Sequence, residues 1–277
     1  MVRYDYMGKT VVITGASSGI GAACAIEYAR RGAKVVLASR TVESLNKVAA
    51  EVKAAGGQAF VVPCDVTQRD QVNNLVKQAI DLTGRIDVMF IGAGFGVFGR
   101  LENIDMELWR RQMDVNFYGA LYCFYAVLPH LQKQKSGQII IMNSGAGRFA
   151  LPLFAPYCAS KYALTGLADS ARFDLKEYNI DVLSVYPAFV VTKFHGSIVS
   201  PDFEVSGEMA AKSGGITAEK AAQDIVNSGE KRKKELIFSA GGKFAAKFFP
   251  LSMILSEIGR KGAMNVFKKF IKPKPAK

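Results

Sequence analysis

Short apolar runs rich in Val and Ile alternate along the chain with stretches whose apolar positions recur every three or four residues. The first pattern is typical of buried strands and the second of amphipathic helices. The runs predict strands at 10–14, 34–39, 59–63, 88–92, 138–143 and 181–186, and a seventh at 235–239. Because a helical stretch separates neighbouring runs, the pattern predicts an α/β fold, a doubly wound parallel sheet of about seven strands with helices on both faces.

One segment of the chain breaks this alternation of strands and helices. The segment 189–215 is long, contains several Gly and Pro residues, and follows a strand end, where open parallel sheets bind ligands. Its apolar side chains suit an apolar ligand, and they equally suit a lid packed on the sheet.

Thr67 and Thr217 each precede a helical stretch and are predicted to be helix N-caps.

The overall composition is that of a packed globular protein, with 49% hydrophobic and 22% charged residues among 277. No change in composition divides the first 240 residues, so we expect one domain at 1–240 and a basic amphipathic tail at 241–277. The net charge of +12 is concentrated in that tail, since nine Lys or Arg and one acidic residue follow from Lys243 onward.

The tail has two interpretations. Its apolar residues from Phe244 to Ile258 precede most of its cations, a pattern that suits peripheral contact with an anionic membrane surface. Pro250 interrupts the run, which is also shorter than the roughly 20 apolar residues needed to span a bilayer. Alternatively, the apolar residues pack over the substrate pocket or a second subunit, with the lysine-rich end in solvent.

The first predicted strand is followed by a glycine-rich turn that opens a helix. Gly15, Gly19 and Gly21 are spaced G-x-x-x-G-x-G. Glycine permits positive φ and a close backbone approach to a pyrophosphate, whose charge the free N–H groups of the helix N-terminus stabilise. The spacing differs from the G-x-G-x-x-G of other dinucleotide-binding enzymes. The turn therefore indicates a phosphate or dinucleotide site, and a tight structural connection remains the alternative.

The residue that ends the second strand region indicates which dinucleotide binds. Arg40 stands where an NAD-binding site usually has an Asp or Glu for the ribose 2′-hydroxyl. A guanidinium can pair with a 2′-phosphate, so Arg40 favours NADP or NADPH as the cofactor. An ordinary surface arginine is the alternative.

Tyr157 and Lys161 are four residues apart in a stretch predicted to be helical from 155 to 178, so their side chains share one face. A free tyrosine has a pKa near 10, and a neighbouring ammonium lowers that pKa by favouring the phenolate. Such a pair can exchange protons at neutral pH. The spacing alone is common by chance, and its weight comes from the motifs around it.

Taken together, these motifs resemble the classical short-chain dehydrogenase/reductase family. The family's T-G-x-x-x-G-x-G begins at Thr14, a Ser occurs thirteen residues before the motif tyrosine at Ser144, and a helix carries Asn116. Two positions depart from the family pattern. Gly92 replaces the Asn of its N-A-G stretch, which we expect to alter local hydrogen bonding without loss of chemistry, and Ala188 replaces the Gly of its Pro-Gly.

The resemblance implies a Rossmann-like fold and a reductase mechanism. Tyr157 would donate a proton to the substrate carbonyl, Ser144 would hydrogen bond the same oxygen, Lys161 would also hold the nicotinamide ribose, and Asn116 would keep a water linking Lys161 to solvent. The resemblance also implies a set of cofactor-binding residues, in which Tyr157 and Lys161 have a second role. The set is Thr14, Gly15, Ser17, Ser18, Gly19, Ile20, Gly21, Ser39, Arg40, Asp65, Val66, Gly92, Ala93, Gly94, Tyr157, Lys161, Pro187, Val190 and Thr192.

A weaker likeness to 3-ketosphinganine, steroid and retinoid reductases implies a hydrophobic carbonyl substrate and a role in lipid metabolism. The family also implies a homo-oligomer. The four cysteines form no C-x-x-C pair and the N-terminus has no apolar signal region, which predicts a cytoplasmic protein, with the tail allowing peripheral membrane contact. The two histidines lack partners at ligand spacing, so no metal site is expected.

Two other classes of function compete with the reductase. A catalytically silent dinucleotide-binding regulatory or scaffold protein would keep the glycine turn, but the intact set of Asn, Ser, Tyr and Lys argues against it. A nucleic-acid-binding protein would explain the basic tail. No base-stacking motif accompanies the charge, so no nucleic-acid partner is expected.

Overall fold

The computed structural model of the protein describes residues 3–187, 189–194, 196, 198–205, 215–238 and 271–273. Most of the predicted tail therefore lies outside the described residues. A seven-stranded sheet forms the centre of the fold, and all of its strand pairs are parallel. Its strands are β1 (Thr10–Thr14), β2 (Lys34–Ala38), β3 (Gln58–Val61), β4 (Val88–Ile91), β5 (Gly137–Met142), β6 (Ile180–Tyr186) and β10 (Glu235–Ile237).

Helices cover both faces of this sheet. They are α1 (Gly19–Arg30), α2 (Val42–Ala54), α3 (Arg69–Thr83), α4 (Met106–Met113), α5 (Gly119–Gln134), α6 (Ala155–Asp174) and α7 (Ala218–Glu230). Buried residues of α3, α5 and α6 pack in one core against the sheet, and those of α1, α2 and α7 pack in another. The predicted doubly wound α/β fold is confirmed.

The strand order β10-β6-β5-β4-β1-β2-β3 places the site. The chain winds outward from β1 in one direction and from β4 in the other, so the order reverses between these two neighbours. At such a switch point the loops leaving the carboxyl ends of the strands diverge and open a crevice. The glycine turn after β1 and the Gly92 segment after β4 both face this crevice.

The segment between β6 and α7 contains three short strands, β7 (Val190–Val191), β8 (Phe203–Val205) and β9 (Ile216–Thr217). β7 pairs with β9 in parallel. β8 pairs in the antiparallel sense with β11 (Ile271–Pro273), so this part of the chain's end lies beside the segment that follows β7. Among the described residues, the helices are too short or too polar to cross a membrane.

One helix N-cap is confirmed and one prediction is wrong. The Thr217 side chain accepts a hydrogen bond from the Lys220 backbone N–H at 3.2 Å and caps α7. Thr67 does not cap α3, which begins at Arg69 with Gln68 as its N-cap. The Thr67 hydroxyl and N–H both donate to Asp65, at 2.8 and 3.0 Å, so an Asx-type turn uses the threonine before the helix begins.

Candidate active site

The glycine turn brings β1 close to β4. Gly15 and Gly19 adopt positive φ, +70° and +58°, where residues with a Cβ are strained. A Cβ at Gly15 would lie 2.7 Å from the Gly92 backbone, and one at Gly21 would lie 2.3 Å from the Gly15 carbonyl oxygen. The Ser18 side chain makes no capping hydrogen bond at the start of α1. The first N–H groups of that helix are therefore available to an anion.

Gly92, the departure from the family pattern, has a local cause. A Cβ at position 92 would lie 2.7 Å from the Phe90 ring and 2.8 Å from the Thr14 carbonyl oxygen. The Phe90 ring is fully buried in this space. The Gly92 N–H donates to the Thr14 hydroxyl at 3.1 Å, so β1 and β4 remain connected without an asparagine side chain.

The predicted catalytic side chains come from three elements. Ser144 lies two residues beyond the end of β5, whereas Tyr157 and Lys161 lie on consecutive turns of α6 and are 8% and 5% exposed. The Ser144 hydroxyl hydrogen bonds Tyr157 and also accepts from the Ala146 N–H at 3.1 Å. The Lys161 ammonium lies 5.6 Å from the centre of the Tyr157 ring and donates to the Met142 carbonyl oxygen at 2.8 Å.

Burial sets the proton affinities of this pair. It raises the pKa of Tyr157 to about 12, although the Ser144 hydrogen bond opposes the rise. It lowers the pKa of Lys161 to about 8. In the free protein, desolvation therefore outweighs the lowering that the sequence led us to expect from the lysine.

Asn116 lies in a π-helical turn, Asp114–Tyr118, between α4 and α5, and is buried. Its side chain accepts from the Phe95 N–H and donates to the Phe95 carbonyl oxygen, both at 3.0 Å. It also donates to the Ser160 hydroxyl at 3.2 Å, which in turn donates to the Tyr157 carbonyl oxygen at 2.8 Å. Asn116 is thus tied both to the loop after β4 and to the backbone of the tyrosine.

One cavity of about 510 Å³ connects the glycine turn with Ser144, Tyr157 and Lys161. Its other lining residues from the sequence analysis are Gly15, Ser17, Ser18, Gly19, Ile20, Gly21, Gly92, Gly94, Pro187, Val190 and Thr192. Thr14, Ser39, Arg40, Asp65, Val66, Ala93 and Asn116 do not line it.

Ser39 and Arg40 lie beyond β2, the strand next to β1. Arg40 is exposed, and the buried Ser39 hydroxyl oxygen has no hydrogen-bond partner in the part of the chain that the structure describes. A dinucleotide fits this arrangement, because its diphosphate would meet the start of α1 and its adenosine end would reach the unpartnered hydroxyl. Asp65 follows β3 and accepts from Thr67, so part of its carboxylate is already engaged.

The sequence did not single out part of the cavity wall. Phe95, Phe149, Leu151 and Phe154 line the cavity, together with Phe189, Phe194 and Ile198 of the long loop, whose apolar side chains the sequence had indicated. Asn143 also lines it, and its side-chain oxygen accepts from the Ser144 N–H at 2.9 Å. The apolar stretch from 149 to 154, directly between the catalytic Ser and Tyr, is the signal that would have located this wall.

Comparison with known proteins agrees with this geometry. An uncharacterized oxidoreductase of Listeria innocua is 38% identical over 219 residues, which cover 78% of this chain and 88% of that protein. An alcohol dehydrogenase of Thermococcus sibiricus, solved with 5-hydroxy-NADP, has a TM-score of 0.74 at 27% identity, covering 83% of this chain and 95% of its own.

A xylitol dehydrogenase solved with NAD+ has a TM-score of 0.75 at 26% identity, covering 86% of this chain and 100% of its own. The sequence profile of the short chain dehydrogenases matches residues 9–202. This chain is therefore an oxidoreductase of the short-chain dehydrogenase/reductase family.

Proposed function

We propose that the protein reduces an apolar ketone or aldehyde to an alcohol with NADPH. The observation that carries this proposal is the single cavity, which joins the glycine turn to Ser144, Tyr157 and Lys161 and has a wall of aromatic and aliphatic side chains. Such a wall favours an apolar substrate, since few polar groups other than the catalytic ones are present to orient it. The likeness to lipid, steroid and retinoid reductases agrees with this substrate class and with a role in lipid metabolism.

When bound, the cofactor supplies a hydride to the carbonyl carbon. The Tyr157 hydroxyl donates a proton to the carbonyl oxygen, and the Ser144 hydroxyl hydrogen bonds that oxygen as negative charge develops on it. Lys161 holds the nicotinamide ribose and favours the tyrosinate that remains, because its ammonium lies beside the ring. Asn116 fixes the loop after β4 and keeps a water that links Lys161 to solvent, so that Lys161 passes a proton to the tyrosinate and takes one from solvent through that water.

A panel assay tests the proposed function. Fatty 3-keto compounds, steroids and small aldehydes are each mixed with the protein and NADPH or NADH, and loss of reduced cofactor is followed at its absorbance. We expect turnover of apolar carbonyls with NADPH. A protein that binds NADPH but turns over none of these compounds would match the alternative, a catalytically silent dinucleotide-binding regulator or scaffold.

The choice of NADPH rests on this chain's own residues, because structurally similar proteins include both NADP and NAD+ complexes. Arg40 is exposed at the end of the β2 segment, with Ser39 beside it. An arginine pairs with the adenosine 2′-phosphate, and no carboxylate between residues 38 and 42 repels that phosphate.

Arg40→Asp should weaken NADPH binding by about tenfold or more and narrow or reverse the preference over NADH. A carboxylate repels the 2′-phosphate and accepts from a 2′-hydroxyl. Dissociation constants for both cofactors, from the fluorescence of the bound nicotinamide, measure this. Lys133→Asp on α5 makes the same change in net charge far from the site and should alter neither. Tighter binding of NADH by the unaltered protein would refute the role of Arg40.

The tail 241–277, most of which lies outside the described residues, is proposed to make peripheral contact with anionic membranes. Its cations would meet anionic headgroups at about 1 kcal/mol each near the surface. In the alternative, the tail packs on its own domain. The pairing of β11 with β8 favours this alternative.

A vesicle test separates the two interpretations of the tail. With membrane contact, the full chain should sediment with vesicles containing about 30% phosphatidylserine at low salt and release as salt rises. Truncation before Gly242 should abolish sedimentation, and Lys268→Gln with Lys269→Gln, which keeps the length, should weaken it. Recovery of the full chain in the supernatant at low salt would favour packing.

We also propose a homo-oligomer in a reducing, cytoplasmic setting. Tyr125 on α5 and Tyr162 and Phe173 on α6 are exposed, and Phe173 is 83% exposed, which leaves an apolar surface for a second subunit. The four cysteines are buried free thiols, as in proteins from reducing compartments.

A further inference from the structure

The loop that begins with Phe189 is joined to the loop after β4 by backbone contacts. Val97 and Val199 form an isolated parallel bridge. The Phe98 N–H donates to the Val199 carbonyl oxygen at 3.0 Å, and the Val199 N–H donates to the Gly96 carbonyl oxygen at 2.9 Å. The two loops therefore form one layer at the apolar end of the cavity.

This layer depends on two glycines with little room around them. A Cβ at Gly96 would lie 3.3 Å from the Ile198 side chain. A Cβ at Gly99 would lie 3.0 Å from Pro201 Cδ and 3.0 Å from Asp202 Oδ2. The loop after β4 and the loop that begins with Phe189 are therefore so close at Gly96 and Gly99 that a larger residue would be crowded. Asp202 lies at this point of contact.

The Asp202 carboxylate bridges the two loops. Its Oδ2 accepts from the Arg100 backbone N–H at 2.6 Å, and its Oδ1 accepts from the Asn103 side-chain amide at 2.5 Å. The Ser200 hydroxyl accepts from the N–H groups of Asp202 and Phe203, at 3.3 and 3.0 Å, and shapes the turn that presents the carboxylate. Hydrogen bonds to a charged acceptor are stronger than those between neutral groups.

The residue after Asp202 connects the bridge to the catalytic tyrosine through ring contacts. Phe203 packs on Phe98, with ring centres 5.3 Å apart, and Phe98 packs on Phe154 at 4.7 Å. Phe154 packs on Tyr157 at 5.9 Å. A shift of the 198–205 segment would therefore disturb the wall against which the substrate binds.

We propose that Asp202 is a positioning residue. It holds the loop that begins with Phe189 against the part of the cavity lined by aromatic and aliphatic side chains, before substrate arrives. The proposal rests on the proposed function, in that this cavity binds the carbonyl compound. Asp202 does not line the cavity, whereas Phe194 and Ile198 of the same loop do. Its loss should therefore weaken substrate binding through a less ordered wall, and leave the chemical groups and the cofactor half of the site in place.

A swap of the two bridging side chains tests the proposal. D202N leaves one acceptor oxygen for the two donors and removes the charge that strengthens both hydrogen bonds, whereas N103D places two carboxylates against each other. In the double variant the new amide at position 202 accepts from the Arg100 N–H and donates to the new carboxylate at position 103. The geometry of the bridge is thereby restored with its donor and acceptor exchanged.

We expect each single substitution to raise KM for an apolar aldehyde such as 4-nitrobenzaldehyde about tenfold, the scale of one charge-assisted hydrogen bond. The kcat and the NADPH dissociation constant should stay within about twofold, and the double variant should recover most of the lost affinity. Asp81→Asn, an exposed carboxylate on α3, is the matched control and should change nothing. Unchanged KM in the singles, or a double variant as weak as the worse single, would overturn the proposal.

Hydrogen exchange of the free protein provides a readout that does not need the reaction. Amides 199–205 should exchange faster in D202N than in the unaltered protein, and return toward its rate in the double variant. Faster exchange in a protein that reduces no carbonyl would refute the proposed function and keep the bridge. Unchanged exchange would refute the bridge whatever the activity.

Discussion

Tyr157→Phe lowers turnover by two or more orders of magnitude and leaves NADPH binding nearly unchanged. The substitution removes only the hydroxyl that donates to the carbonyl oxygen, and a positioned general acid contributes about 10²- to 10⁴-fold. The ring itself, packed against Phe154 and Phe194 at 5.9 and 6.0 Å, keeps its contacts. The measurement is kcat with a carbonyl from the panel, together with NADPH affinity by fluorescence.

Its matched control is Tyr162→Phe, one turn further along α6. Tyr162 is 46% exposed, so the loss of its hydroxyl should affect neither turnover nor binding. A Tyr157→Phe protein that retains the turnover of the unaltered enzyme would remove this residue from the mechanism. An equal fall in both proteins would point to a general effect on the helix and not to a proton donor.

The strands were predictable because most are buried on both faces. β1 reads Thr-Val-Val-Ile-Thr and is fully buried, so its apolar run reflects its environment directly, and its predicted bounds match those observed. β10 was predicted to extend to 239 but ends at Ile237, since burial decreases at this sheet edge. Thr67 shows the limit of local sequence patterns. It is a residue type that commonly caps helices, but here it hydrogen bonds Asp65 in the turn before the helix.

The sequence could indicate residues for the proposed chemistry where they lie at a fixed spacing on one element or match a family motif. Tyr157 and Lys161 share a helix face, whereas Ser144 was located by the resemblance to the family, whose serine usually lies thirteen residues before the motif tyrosine. The apolar wall depends on contacts between distant segments, such as Val97 with Val199, which no local pattern encodes. Asp202 was missed for the same reason, since its partners lie about a hundred residues earlier in the chain.

Lys161, the proposed partner of Tyr157, should reduce the stability of the free enzyme. Lys161 is 5% exposed, and burial lowers its pKa to about 8 from an unfolded value near 10.5. Between these values the unfolded chain binds more protons than the native one, so stability rises with pH across this window. Below about pH 8 the cost of the buried ammonium is fully present, and it disappears above about 10.5.

Lys161→Met, similar in length and without charge, should therefore have two opposite effects. Turnover should fall about a hundredfold or more and NADPH affinity about tenfold, because the lysine both supports the tyrosine and holds the ribose. The unfolding temperature of the free protein at pH 7 should rise by about 3 °C, since the substitution removes the cost of burying the ammonium. Thermal unfolding without cofactor at pH 7 and 9.5 measures this, and the gain should shrink at the higher pH, where the native lysine has lost its proton.

Lys220→Met, on an exposed helix face, should leave activity unchanged and show no such dependence on pH. A lower unfolding temperature of Lys161→Met at pH 7 would contradict the prediction. It would mean that the hydrogen bond from Lys161 to the Met142 carbonyl oxygen outweighs the desolvation of the ammonium, so that the lysine stabilises the fold.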